Sequence, residues 1–255
     1  MGIQRKITDM EKNDSTKLSV RRHREKRVRK AATIGSLPRD LLVDVLGRVA
    51  SSSFTDLFNV KLSCKDLLEP TEDDFIYQSV SIDKFSQPHW IPPCTKVRSF
   101  LTSCFNKGNP ESLFRKGMVD YFNLVDIESG LKYLKIAAEK GHPEATYVYG
   151  MILLSGGDKS SQEGLNVLNS LRYSRSSYWN VQDSRDKVYS ILSHMWIYNL
   201  ITLEKVKTSC QKRDHVIRFE RRGWSLDEDK EISSCDTCLW YRELVYFYKV
   251  MNVNV

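Results

Sequence analysis

The chain has 255 residues, 41% of them hydrophobic and 28% charged, which excludes a fibrous or wholly disordered protein and leaves room for one or two domains. Its formal net charge of +7 is confined to the first 30 residues, which hold 11 of the 39 Lys and Arg but only 4 of the 32 Asp and Glu; the rest is balanced, without the broad positive field of a nucleic-acid-binding body. No apolar run approaches the ~18 residues of a membrane helix and the N-terminus opens polar, so an intracellular protein, nuclear or cytoplasmic, is expected.

Residues 1–35 read as a disordered basic tail. They include Arg21 to Lys30, where seven of ten positions are Arg or Lys. Such a block repels itself and stays solvated, serving as a nuclear-localisation signal, a nucleic-acid-contacting arm or a plain tail.

At Ser36 the pattern changes. Leu41, Leu42, Val45, Leu46 and Val49 recur at the spacing of one helix face, which predicts an amphipathic helix. Ser36 is placed to cap it, Pro38 to occupy its first turn and Asp40 to complement its dipole. Ser51 to Ser53 should break this helix and recap a second one carrying Phe54, Leu57, Phe58 and Val60, ending near Cys64. So few apolar positions make a marginal core, which leaves a face for a partner.

Leu37-Pro38-Arg39-Asp40-Leu41-Leu42, Val45-Leu46, Asp56-Leu57 and Leu62-Ser63-Cys64-Lys65 together resemble the F-box, the module through which substrate receptors dock onto the Skp-family adaptor of cullin ubiquitin ligases. The resemblance covers residues 36–82. It implies adaptor contacts by Leu37, Pro38, Leu41, Leu42, Val45, Leu46 and Leu57. Where many members carry a Trp near the end, this chain offers Phe75 or Tyr77.

Residues 83–107 read as a linker. Beyond them Gly108-Asn109-Pro110-Glu111 returns as Gly141-His142-Pro143-Glu144, and Gly117, Gly130 and Leu134 match Gly150, Gly164 and Leu168. An internal period of 33 to 34 residues belongs to α-solenoids of helix-turn-helix units, whose apolar faces are covered only by their neighbours. Gly117 and Gly150 mark the expected helix crossings. Leu131 to Gly141 with the following HPEATYVYGMILLSGG resembles the Sel-one-like repeat, a tetratricopeptide relative, and the combination with an F-box resembles plant members. Two units need capping, and Val188, Ile191, Leu192, Met195 and Trp196 give residues 181–203 the stripe of a capping helix, closing a repeat region of residues 108–203. Such solenoids expose a concave surface on which a client protein would sit, at residues the sequence does not identify.

In the C-terminal segment, residues 204–255, Cys210 and His215 precede the pair Cys235 and Cys238. Two sequence-local pairs of soft ligands suit one closed, structural zinc ion. The same residues otherwise serve as thiols and a surface imidazole. Cys64, Cys94 and Cys104 read as buried or idle thiols in a reducing compartment. Trp240, Tyr241, Leu244, Phe247 and Tyr248 form the stripe of a last helix. His89, His142 and His194 lack partners in the sequence and read as structural or exposed. No phosphate-binding, nucleophile-elbow or zinc-protease motif is present, so no catalysis is expected. The expectation is an all-α, non-enzymatic receptor subunit of an SCF-type ligase that binds a Skp-family adaptor and a client protein. Its alternatives are a helical-repeat scaffold outside any ligase and a nuclear nucleic-acid binder using the basic arm.

Overall fold

The computed structural model describes residues 34–85, 94–124, 126–173, 181–201 and 235–252. The basic stretch of residues 1–33, His89, Cys210 and His215 lie outside them. Residues 34–36 form a 3-10 turn. The expected all-α class is what the described residues adopt; they contain helices and no strand.

Helix α1 (Arg39–Ser52) begins one residue after Pro38, which is its N-cap, with no side chain capping it; Ser36 is not the cap. The ring fixes φ of Pro38 near the helical value while ψ, at 142°, is extended, and the Pro38 carbonyl receives the first helical bond from Leu42 N–H at 3.1 Å. Ser53 then ends α1 and caps α2 (Phe54–Ser63), its hydroxyl accepting from Asp56 N–H at 3.1 Å, as the serine run implies. After two 3-10 turns, Asp73 caps the short α3 (Asp74–Ser79). Phe75 of α3 lies across α1 because Gly47 has no side chain: a Cβ there would meet Phe75 Cε1 at 2.4 Å.

The buried positions of α1 are Leu42, Val43, Leu46, Gly47 and Ala50, the expected spacing rotated by one residue. They form one core with Leu57, Leu67, Ile76, Val80 and Ile82. The stretch read as a linker contains α4 (Thr95–Asn106), which places Cys104 in this same core against Phe100 and Leu101. Burial pushes the Cys104 thiol up to about 12, whereas Cys94 is exposed.

The repeat follows as α5 (Pro110–Met118), α6 (Ile127–Glu139), α7 (Pro143–Ser155) and α8 (Asp158–Tyr173). Gly108 and Gly141 take positive φ (79° and 83°) and end the preceding helices in the same way. Asn109 N–H reaches back to Cys104 O, and His142 N–H to Ala137 O, six-to-one bonds that left-handed glycines permit. Pro110 and Pro143 occupy the first turn of the next helix, as expected.

The crossings also repeat. A Cβ on Gly117 would lie 2.8 Å from Leu134 Cγ, and one on Gly150 2.5 Å from Leu168 Cγ. Helix α7, apolar on every side, is buried at each position from Glu144 to Ile152. Helices α9 (Val181–Leu192) and α10 (Asp236–Asn252) complete its cover.

The capping stripe differs from expectation at its end. Helix α9 stops at Leu192; Met195 is buried beyond it, but Trp196 is 66% exposed. Asn123 Nδ2 donates to Trp196 O, and Phe122 O accepts from Tyr198 N–H at 2.8 Å, so bonds to residues 122 and 123 replace another helical turn. In α10, Trp240, Tyr241, Leu244 and Phe247 are buried as the stripe predicts, whereas Tyr248 is only half-buried. Phe247 meets Tyr147 and Phe122 edge-on, and Trp240 Nε1–H donates to Asn169 Oδ1 at 2.8 Å.

Candidate functional site

The apolar stripe of α1 is wider than one contact can cover. Leu42 and Leu46 turn inward with Leu57 from α2 and are sealed in the module's own core, so they are not free docking residues. Leu37, Pro38, Leu41 and Val45 remain outside, with Leu41 55% exposed. Leu62 on α2 is 84% exposed. Burying a large aliphatic side chain contributes about 1.5–3 kcal/mol, so several left in water on one small module form an apolar patch of the kind that partners cover. Arg39, at the edge of this face, is tied to Asp73 at 3.1 Å and to Glu69, which fixes the start of α1 against the turn before α3.

Two buried polar clusters were not anticipated. The first joins the repeat units: His142 Nδ1 accepts from Ala145 N–H at 3.2 Å, capping α7, and Nε2 donates to Glu111 Oε2 at 2.6 Å. That bonding requires the proton on Nε2. Phe114 stacks on the ring at 4.7 Å. Arg115 pairs with Glu111 at 2.7 Å, and Lys187 of α9 approaches Glu144 at 3.3 Å. The signal was the shared position of Asn109 and His142, a helix cap in both units.

Burial pushes the Glu111 carboxyl up, but the His142 hydrogen bond, with the charges of Arg115 and Lys187, more than offsets this and holds it at about 2, below an ordinary 4.5. A depressed carboxylate contributes stability that is complete above the unfolded value and lost as pH falls through the folded one. The urea midpoint of the chain should therefore decline between about pH 4.5 and 2. Glu111→Gln should remove that part of the decline; an unaltered profile would contradict the pairing.

The second cluster clamps α10. Glu243, fully buried, accepts from Arg185 Nε at 2.7 Å, from Arg185 Nη2 at 2.5 Å and from the Tyr147 hydroxyl at 2.6 Å. Burial and the neighbouring carboxylate push the Tyr147 hydroxyl well above its usual range. Because α10 packs on α7, α8 and α9, the inner helix of the second unit is sealed and offers a client no free face. Helix α7 thus contributes nothing to the open concave surface expected of the solenoid.

Cys235 and Cys238 stand at the start of α10, both buried in the repeat core. Among the described residues no group of three or more His, Cys, Asp or Glu is placed to hold a metal. No helix among them is long and apolar enough to cross a membrane.

The described residues thus form a helical module with an exposed apolar face, followed by a capped helical repeat. Residues 82–193 match the family model of plant tetratrico peptide repeats. An F-box protein of Arabidopsis thaliana is 30% identical over 243 residues, covering 88% of this chain and 81% of the relative. A second Arabidopsis thaliana F-box protein is 29% identical over 144 residues, 56% of this chain and 86% of the relative. No solved structure matches. The chain belongs to the F-box protein family and carries tetratricopeptide-related repeats.

Proposed function

We propose that the chain is the non-catalytic substrate-recognition subunit of an SCF-type cullin ubiquitin ligase. It docks a Skp-family adaptor through Leu37, Pro38, Leu41 and Val45, and Leu42, Leu46 and Leu57 support that face from beneath. The client is held by the repeat body, and ubiquitin transfer then follows from proximity. The observation that carries this reading is the apolar face left in water on α1 of an F-box family member. Leu41→Asp, at an exposed position, should leave the module folded yet weaken adaptor binding by about 30- to 1,000-fold, or roughly 2–4 kcal/mol, because a carboxylate would be desolvated in the contact. Full-strength binding by the folded variant would overturn the assignment of this face.

We also propose that Cys210, His215, Cys235 and Cys238 hold one structural zinc ion that anchors the entry to α10. The spacing of Cys235 and Cys238, three residues apart and both buried where α10 begins, supports that half of the site. Metal analysis of the purified chain should give close to one zinc per molecule and much less for Cys235→Ser. A content far below one in the native chain would leave Cys235 and Cys238 as core thiols.

A further inference from the structure

Asn109 stands where the F-box module hands over to the first repeat unit, and it is 1% exposed. Its Oδ1 accepts from Ser112 N–H at 3.1 Å and caps α5. Its Nδ2 faces the other way and donates to Tyr77 O, Gln78 O and Val80 O at 3.0, 3.2 and 2.9 Å. The amide orientation is forced, since a flipped side chain would oppose oxygen to three carbonyls. Six residues on, Arg115 donates from Nη1 to Phe85 O at 2.7 Å and from Nη2 to Ile82 O at 3.2 Å, while Glu111 holds its Nε.

Two side chains of the first repeat unit thereby satisfy five carbonyls of the chain leaving α3, including terminal carbonyls that a helix cannot satisfy itself. The second unit uses the same position in the same way: His142 caps α7 with one nitrogen and reaches Glu111 of the preceding unit with the other. The cap residue thus reads whichever unit comes before it: carbonyls at the first junction, a carboxylate at the second. Apolar packing of α4 into the module core joins the same parts but has no direction; hydrogen bonds to five fixed carbonyls do.

We infer that Asn109 and Arg115 are positioning residues that lock the F-box module to the repeat body at one angle. The functional consequence rests on the receptor reading above: the adaptor-docking and client-holding ends of the chain then keep a fixed separation.

Pulsed dipolar spectroscopy on the full chain tests this, with spin labels on non-natural side chains at the exposed positions 65 and 135, one on each side of the junction. The native chain should give one narrow distance. Asn109→Ser retains an N-cap acceptor but loses the amide donors; Arg115→Met retains the apolar stem and loses the fork. Each should broaden the distribution, and the double variant should lose the single distance while helix content by circular dichroism is kept. If the double variant does not fold, Asn109→Ser alone decides. A distribution as narrow as the native one in a folded variant lacking these donors overturns the inference. Adaptor binding measured on the same samples separates the two ideas, since its absence counts against the receptor reading and leaves the distance result standing.

Discussion

Arg185→Met should remove about 3–5 kcal/mol from the stability of the repeat body, the largest effect expected of any single substitution here. Among the described residues, the substitution leaves Glu243, with no exposed surface, held only by the Tyr147 hydroxyl. Pairing inside a protein contributes modestly when complete, but stranding one charge exposes the whole desolvation cost. Arg185 also lies over the Tyr246 ring at 4.7 Å, so the loss includes that contact. Replacing both partners, Arg185→Met with Glu243→Leu, should cost less than either single change. Urea unfolding followed by the fluorescence of buried Trp240 would measure this. A single-variant loss below about 1 kcal/mol would mean that the pair is not buried as described.

Gly164→Ala and Gly150→Leu should both destabilise, although each replaces a poor helix former with a better one. Propensity alone would favour the substitutions by up to about 1 kcal/mol. Against it, a Cβ on Gly164 would meet Leu154 N at 2.7 Å and Gly150 O at 2.9 Å, backbone atoms that cannot turn aside. At Gly150 the obstacle is the Leu168 side chain at 2.5 Å, which must be driven from its place by the added bulk. Overpacking of this kind costs typically 1–3 kcal/mol, so crowding wins in both cases. Thermal melting gives the sign: a raised midpoint for either variant would show that α7 and α8 do not cross at these glycines.

Features that repeat or stay local were legible in the sequence. The 33-residue offset placed Gly117 and Gly150 at crossings because a periodic chain must present the same small residue to the same neighbour. Ser53 was legible as a cap because capping is settled within four residues. The face of α1 was misplaced by one residue because its stripe is broad enough to fit either rotation; only the positions of α2, α3 and α4 decide which side is core. Helix α4 had a readable signal, Val97, Phe100, Leu101 and Cys104 at helical spacing, obscured by the Pro-rich stretch before it. His142 with Glu111, and Arg185 with Glu243, lie 31 and 58 residues apart, and no local pattern announces which charges the packing will bring together. Trp196 continued a stripe in sequence after the helix beneath it had ended.

The proposed receptor role requires that the face of Leu37, Pro38, Leu41 and Val45 dock an adaptor. Titration calorimetry of the full chain with a purified Skp-family adaptor tests it most directly. A saturable one-to-one complex with a negative heat-capacity change from buried apolar surface is expected, and its loss in Leu41→Asp. No complex at adaptor concentrations of about 10 μM, equivalent to a binding free energy weaker than roughly −7 kcal/mol, would contradict it.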